Sequence, residues 1–160
     1  MLIKINEEII LRQLMESDAR DIFQIINSQR EYLGRWLPFV QFTKELNVSM
    51  EYVDSVINAS SEIFEYVFSI RKNEILIGLI GFKNSDRLNK RTEIGYWISQ
   101  ENQKKGIVTK SVEKLCDFAF QELGMNRIQI KCAVGNTASS KIPKKLNFYF
   151  EGIERQGEWF

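Results

Sequence analysis

The residues of this chain best suited to chemistry form a short loop, Gln103-Lys104-Lys105-Gly106, which precedes a helical pattern. A loop that points several backbone N–H groups at one place, just before a helix N-terminus, is suited to bind a pyrophosphate. Between Glu101 and Asn147 the sequence has nine lysine or arginine residues against four acidic residues. This surplus of positive charge favours a multiply anionic small ligand. The alternative is an ordinary solvated helix face rich in lysine.

The 160 residues include no histidine. Catalysis must therefore rely on carboxylates, hydroxyls, amines or backbone dipoles, which excludes serine–histidine hydrolases and histidine-ligated metal sites. The two cysteines, Cys116 and Cys132, are too few for a disulfide framework. Cys116 lies in a helical pattern and Cys132 in a strand pattern, so we interpret both as reduced core thiols of a cytosolic protein.

Composition predicts one globular domain that spans residues 1–160. The chain is 44% hydrophobic and 27% charged, and its net charge of +1 gives no general case for a nucleic-acid or lipid partner. The N-terminal residues lack the apolar core of a signal peptide, and no run of 18 apolar residues occurs. We therefore expect a cytoplasmic protein with no membrane partner.

The first third of the chain predicts two short strands within residues 2–14, followed by helices. Ser17 is expected to cap a helix that carries Asp18 in its first turn. The aromatic segment Tyr32–Phe39 either lines a substrate cleft or contributes to the packing of the helix pair. A second helix is predicted over Thr43–Asn58, with an apolar face of Leu46, Met50, Val53 and Ile57.

Sheet patterns follow in the middle of the chain. Strands are predicted over Phe64–Arg71 and Ile75–Phe82, joined by a hairpin turn at Lys72-Asn73-Glu74. The second strand is apolar on both faces and should be central. A third strand is expected over Thr92–Ser99, in which Gly95 indicates a bulge or a close backbone approach.

The last part of the chain changes to a strand–helix–strand–helix pattern. A helical stripe ends at Gly124, a typical C-terminal stop, and is made of Val108, Val112, Leu115, Ala119 and Leu123. A strand is predicted over Arg127–Val134, followed by a short helix to Leu146. Asn147 then suits a left-handed residue at a helix end. The fold class is therefore α+β.

In order and spacing, several motifs resemble the GCN5-related N-acetyltransferase (GNAT) superfamily, and in particular its RimJ/RimL-like branch that acetylates ribosomal-protein N-termini. The resemblance covers nearly the whole chain. It implies a mixed, mostly antiparallel central sheet with a splayed strand pair and flanking helices. The motifs are Arg12-Gln13-Leu14, Trp36-Leu37-Pro38-Phe39, Glu93 to Ile98, Ile130 to Asn136 with Ser139, Asn147-Phe148, Glu151-Gly152 and Gln156-Gly157-Glu158-Trp159.

The acetyl-CoA signature of that family, Gln/Arg-x-x-Gly-x-Gly/Ala, matches the segment from Gln103 through Gly106 to Val108. The residues to which the resemblance assigns cofactor binding are Gln103, Lys104, Lys105, Gly106, Ile107, Val108 and Thr109. Lys104 stands where relatives often have glycine, and it could add a cation near the phosphates. Val108 replaces a small residue, and its branched side chain is expected to crowd them. The backbone N–H groups from Lys104 to Thr109 can still bind the phosphates, because these donors do not depend on the side chains.

The resemblance also implies that the strand Tyr96-Trp97-Ile98 splays from Arg127–Val134 and admits the pantetheine arm. Asn136 would meet the pantetheine amides. Ser139 would lie near the thioester sulfur, and Glu158 would act on the incoming amine through water. The alternatives are that Asn136 or Ser139 caps the last helix, and that Glu158 is a solvated edge carboxylate. Glu93 is a second candidate for the base and otherwise structural.

Relatives continue past the position of Phe160 into a final strand beside Arg127–Val134, so the resemblance predicts a sheet that lacks this strand. Another subunit of a homodimer would supply it, or the protein is impaired. The implied activity is metal-free acetyl transfer from acetyl-CoA to a primary amine, such as a ribosomal-protein N-terminus. The alternatives are an inactive CoA-binding remnant and an acetyltransferase for a polyamine or an antibiotic. No direct nucleic-acid contact is expected.

Overall fold

A computed structural model describes residues 1–59, 63 and 65–158 of the chain. The described residues form six strands, five α-helices and two 3₁₀ segments, the latter at Pro38–Phe42 and Gln100–Asn102. The strands are β1 (Leu2–Lys4), β2 (Ile9–Gln13), β3 (Val67–Lys72), β4 (Ile75–Asp86), β5 (Arg91–Ile98) and β6 (Arg127–Gln129). The helices are α1 (Asp18–Ser28), α2 (Arg30–Gly34), α3 (Leu46–Ile57), α4 (Ile107–Gln121) and α5 (Thr137–Lys145).

One mixed sheet carries all six described strands in the order β1-β2-β3-β4-β5-β6. Neighbours from β1 to β5 are antiparallel, and only β5 and β6 are parallel. The parallel pairing is short, because it begins at Arg91 opposite Arg127 and ends at Glu93 opposite Gln129. The predicted mostly antiparallel sheet is confirmed.

The hairpin between β3 and β4 shows how local sequence sets the register. Lys72 pairs with Ile75, so the loop consists of Asn73 and Glu74, whose φ angles are +47° and +70°. Two successive positive φ angles define a type I′ turn, whose twist matches that of the flanking strands. Asparagine adopts this conformation more readily than most residues.

The sheet is covered on both faces, which explains why β4 is apolar on both sides. On one face α4 packs through Val112, Leu115 and Ala119 against Ile80 and Ile94; we call this cluster the first core. On the other face Leu79 packs with α1 and α3; this second core also includes Ile22, Ile26 and Val53. The predicted stripe of α4 and the central position of β4 are both confirmed.

Two local predictions about the first helices are wrong. The side chain of Ser17 makes no capping hydrogen bond. Met50 and Ile57 are exposed, and α3 instead buries Ser49 and Val53. Tertiary packing therefore selects a face of α3 that is rotated from the predicted stripe.

Gly95 pairs in regular register with Gly81, so the predicted bulge is absent there. The irregularities of the ladders fall instead at Ile70/Arg71 and Lys83/Asp86. The space beside Gly95 is limited by the Lys83 side chain, whose Cε lies 3.3 Å from the position a β-carbon would take. The close approach to Gly95 is therefore made by the Lys83 side chain and not by another backbone.

The strand predicted over Arg127–Val134 is much shorter than expected, since β6 ends at Gln129. The segment from Ile130 to Val134 leaves the sheet. Two predicted features, the strand start at Phe64 and the motif end at Trp159, lie outside the described residues.

The start of α1 is held by a buried ion cluster that the sequence did not predict. Asp18 is 1% exposed, and its carboxylate accepts hydrogen bonds from Arg12 Nη2 at 2.8 Å and Arg71 Nη1 at 3.1 Å. It also accepts the backbone N–H of Met15 at 2.9 Å. One carboxylate thus joins the first helix to strands β2 and β3.

We expect Asp18→Asn to lower the free energy of unfolding by about 3 kcal/mol, because it leaves two guanidinium groups without a counter-charge. The measurement is urea unfolding followed by circular dichroism. Asp21→Asn is the matched control, since Asp21 lies in the same helical turn with no hydrogen bond or ion pair among the described residues. Equal losses in the two variants would contradict the role assigned to Asp18.

Candidate active site

The loop between β5 and α4 is built from short hydrogen bonds that fix its course. The 3₁₀ segment Gln100–Asn102 is closed by the buried Asn102, whose Nδ2 donates to Ser99 Oγ at 2.8 Å. Lys104 and Gly106 then adopt left-handed conformations with φ of +62° and +74°. The Gly106 carbonyl accepts the N–H of Lys110 at 3.1 Å and so opens α4.

The backbone N–H groups from Lys104 to Thr109 make no hydrogen bond within the described part of the chain. Four N–H groups at any helix start lack intrahelical partners, and here the preceding loop adds more donors. Ile107 and Val108 are buried in the first core, which fixes the helix end. The Val108 side chain is therefore a packing residue of α4. Lys104 and Lys105 are exposed and make no ion pair among the described residues.

A gap opens where β5 and the segment after β6 separate. The N–H of Ser99 donates to the Ile77 carbonyl of β4 at 2.8 Å. Successive residues of a strand point their backbone N–H and C=O groups to opposite edges. Since Ser99 points to β4, the backbone groups of Tyr96 and Ile98 point to the opposite edge, towards the β6 side. Both residues lie beyond the last β5–β6 pair at Glu93. On that side their backbone groups therefore face the gap, and no described strand pairs with them there.

Ser139 lies near the start of α5 and is held by three hydrogen bonds. Its N–H donates to Asn136 Oδ1 at 3.3 Å, so Asn136 caps the helix. Its carbonyl accepts the Tyr96 hydroxyl at 2.9 Å. Its Oγ accepts the Cys132 thiol at 3.6 Å. The capping role that the sequence left open for Asn136 is present in the structure.

The structure thus brings Tyr96, Asn136 and Ser139 together and adds Cys132, which sequence reasoning had assigned to the core. Cys132 is half-buried and lies outside the buried clusters. Burial raises the pKa of the Tyr96 phenol, and the nearby Cys132 thiol contributes to the increase. Tyr96 is therefore a neutral hydrogen-bond donor. By contrast, burial raises the pKa of the Cys116 thiol on α4 to about 11, and Cys116 packs against the first core as predicted.

Five other predicted site residues make no hydrogen bond to this cluster in the part of the chain that the structure describes. Trp97 packs against the second core, on the opposite face of β5 from Tyr96. Glu158 is exposed and makes no hydrogen bond or ion pair within the described residues. The side chains of Gln103 and Thr109 are half-buried and make no hydrogen bond among those residues. Ile98 is buried in the first core.

Glu93 lies at the point where β5 and β6 diverge and is 1% exposed. Its carboxylate pairs with Lys83 Nζ at 3.1 Å. It also accepts hydrogen bonds from Asn84 at 3.3 Å and Gln129 at 3.2 Å. It borders a polar cavity of about 360 Å³ that Lys131 and Glu154 also line. These bonds favour the structural role for Glu93 over that of a base.

A groove of about 1030 Å³ lies between α1, α2 and the end of β5; its lining includes Arg30, Tyr32, Arg35, Leu37 and Gln100. Gln29 ties the two sides together, because its Oε1 accepts the Gln100 N–H at 2.9 Å. Trp36 approaches the loop before α5, with its ring 3.6 Å from the position of a Gly135 β-carbon. The aromatic segment both lines this groove and packs against the second core. The packing alternative is therefore present in the structure, and whether the groove receives a substrate stays a prediction.

Comparison with known proteins identifies this arrangement. The acetyltransferase (GNAT) domain model matches residues 8–149. The chain belongs to the GNAT acetyltransferase family. It is 34% identical to YdaF of Bacillus subtilis (strain 168), whose name assigns it provisionally to ribosomal N-acetylation, over 96% of this chain and 85% of that protein. It is 29% identical to the ribosomal-protein-serine acetyltransferase of Escherichia coli (strain K12), over 98% of this chain and 88% of that one.

Solved structures give the same fold. A RimL ribosomal L7/L12 alpha-N-protein acetyltransferase in complex with coenzyme A superposes with a TM-score of 0.94 at 24% identity, covering 99% of this chain and 90% of that one. In that protein the coenzyme forms a disulfide with a cysteine. The microcin C7 self-immunity acetyltransferase MccE, bound to acetyl-CoA and AMP, superposes with a TM-score of 0.90 at 26% identity, covering 98% of this chain and 87% of that one.

This GNAT protein is therefore an acetyl-CoA-dependent N-acetyltransferase. Among the described residues no group of three or more His, Cys, Asp or Glu side chains is placed to hold a metal ion. None of the described helices is both long and apolar enough to cross a membrane.

Proposed function

We propose that this enzyme acetylates the N-terminal α-amine of a protein, with a ribosomal protein as the expected substrate, by direct attack in a ternary complex. The observation that supports it most is the convergence of unpaired amides at the Lys104–Thr109 loop with the gap beside Tyr96 and Ser139. The loop amides would bind the pyrophosphate, and the gap would admit the pantetheine arm. The ribosomal names of the relatives support the class of acceptor.

The chemistry of the acceptor supports an α-amine. An α-amino group with a pKa near 8 costs roughly 1 kcal/mol to deprotonate at pH 7, whereas a lysine amine with a pKa near 10.4 costs roughly 4.6 kcal/mol. Since the chain has no histidine, we assign removal of the proton to a carboxylate that works through water. Such a base is adequate for the α-amine and poor for lysine. The backbone N–H groups of Tyr96 and Ile98 would stabilise the oxyanion, and Ser139 the departing thiolate.

The charges of the groove also disfavour a polyamine. Among the described residues Arg30 binds neutral acceptors alone, namely Asn27 Oδ1 and the carbonyls of Val40 and Thr43, so none of them neutralises its charge. Arg35 is exposed beside the Trp36 ring, with 5.4 Å between its Cζ and the ring centroid. Of the described residues that line the groove, Glu31 alone is acidic. A polycationic acceptor would meet two arginines there.

The deciding experiment offers acetyl-CoA with four acceptors: a peptide with a free N-terminus, the same peptide blocked at its N-terminus and containing lysine, spermidine, and an aminoglycoside. We expect CoA thiol release with the free peptide to exceed that with the blocked peptide by about two orders of magnitude at pH 7, since the neutral fractions of the amines differ by that factor. Mass spectrometry locates the acetyl group. Faster turnover of spermidine or the aminoglycoside than of the free peptide would contradict the assignment of an α-amine as the acceptor. Acetyl-CoA binding in calorimetry without thiol release above buffer with any acceptor would support the inactive CoA-binding alternative.

The loop can be tested separately from the acceptor. A β-carbon at Gly106 or at Gly124 would have no described heavy atom within 4 Å, and both glycines have positive φ, +74° and +66°. We therefore expect Gly106→Ala and Gly124→Ala each to cost about 1 kcal/mol of stability. Only Gly106→Ala should raise the KM for acetyl-CoA, roughly tenfold, because its methyl group would lie against the pyrophosphate. Equal KM values in the two variants would refute the loop assignment.

We also propose Glu158 as the base that acts through water. Glu158→Gln should lower kcat/KM for the peptide roughly tenfold at pH 7. The defect should shrink above pH 8, where the α-amine is neutral without help. Glu154→Gln is the matched control, because Glu154 lies in the same segment but pairs with Lys131 at 3.3 Å. A defect that is independent of pH, or equal in the control, would overturn this role.

A further inference from the structure

We propose that Cys132 is a positioning residue that orients the Ser139 hydroxyl towards the departing sulfur of coenzyme A. The inference rests on the proposed function, in which Ser139 lies near the thioester. It adds a residue to which no role in the reaction has been assigned, and it starts from the hydrogen bond between Cys132 Sγ and Ser139 Oγ at 3.6 Å.

The Ser139 hydroxyl has a donor to spare after its contact with Cys132. A serine hydroxyl has one O–H donor and two lone pairs. The Cys132 thiol donates to Oγ and so occupies a lone pair. No acceptor among the described residues takes the Ser139 O–H proton. The hydroxyl can therefore direct its single proton at another acceptor, and the thiol limits the directions it can take.

The rest of Ser139 is fixed from both sides of the gap. Tyr96 on β5 holds its carbonyl at 2.9 Å, and Asn136 holds its N–H at 3.3 Å. Cys132 belongs to the segment that leaves the sheet after β6. The backbone is thus set by Tyr96 and Asn136, and the orientation of the hydroxyl is left to Cys132.

In the reaction, the amine nitrogen bonds to the acetyl carbon and the carbon–sulfur bond breaks. The electron pair of that bond leaves on sulfur, while the proton of the amine passes through water to Glu158 and then to solvent. Ser139 donates a hydrogen bond to the thiolate without losing its proton. The Cys132 thiol, by donating to Oγ, polarises that O–H, since hydrogen bonds in a chain strengthen one another.

The test compares kcat and the KM for acetyl-CoA in five variants of the full chain: Cys132→Ala, Cys132→Ser, Ser139→Ala, the Cys132→Ala/Ser139→Ala double variant, and Cys116→Ala as the control for loss of a thiol. The acceptor is the free peptide, and dithiothreitol keeps all thiols reduced. We expect Cys132→Ala to lower kcat roughly three- to tenfold, the effect of one hydrogen bond, with the KM for acetyl-CoA unchanged within twofold.

Two further results separate positioning from a structural role. Cys132→Ser keeps a donor and should recover most of the lost kcat. In the double variant Cys132→Ala should add nothing to the loss caused by Ser139→Ala, because its effect passes through that hydroxyl. Cys116→Ala should leave kcat unchanged, since Cys116 packs on α4 away from Ser139.

Several outcomes would overturn the inference while the acetyltransferase function stands. They are an unchanged kcat in Cys132→Ala, multiplicative losses in the double variant, Cys132→Ser as impaired as Cys132→Ala, or full activity in Ser139→Ala. No turnover by the unsubstituted protein with any of the four acceptors would instead refute the proposed function, and this inference with it.

Discussion

The arrangement of this enzyme depends on one short parallel pairing, in which β5 and β6 run together for three residue pairs and then separate. The buried Glu93 lies at the fork, bonded to Lys83, Asn84 and Gln129. Beyond it, β5 stays paired with β4 on one edge, but no described strand pairs with its other edge, so the N–H and carbonyl groups of that edge face a gap. An unpaired strand segment inside a sheet is costly unless something else satisfies it. In an acetyltransferase, the amide-rich pantetheine arm is suited to that role.

The two helical layers hold the ends of this gap in place. On one face α4 is anchored by Ile107 and Val108, so the amides at its N-terminus lie at a fixed position next to the end of β5. On the other face α1 is joined to the sheet by Asp18 and to the end of β5 by the Gln29–Gln100 hydrogen bond. The Lys104–Thr109 loop and the groove lined by Arg30 and Arg35 therefore both lie next to the end of β5, as we would expect if one binds the cofactor and the other the acceptor.

Most elements could be predicted because their signals are local. The two-residue turn at Asn73-Glu74, the apolar stripe of α4 and the left-handed Asn147 are each set by a few neighbouring residues. The errors arose where a local pattern competes with a distant contact. Ile130 to Val134 has the alternation of a strand, but no strand pairs with it among the described residues. The buried face of α3 was likewise chosen by its partner, α1.

By itself, the sequence determined the fold class, the family resemblance and the loop at Gly106, since these depend on residue type, order and spacing. It also limited the chemistry to carboxylates, hydroxyls, amines or backbone dipoles, because histidine is absent. Only the tertiary structure decided that Asp18 bonds to Arg71, 53 positions away, and that Cys132 meets Ser139 beside Tyr96. Such contacts join residues on separate elements, and their geometry exists only once the strands and helices have packed.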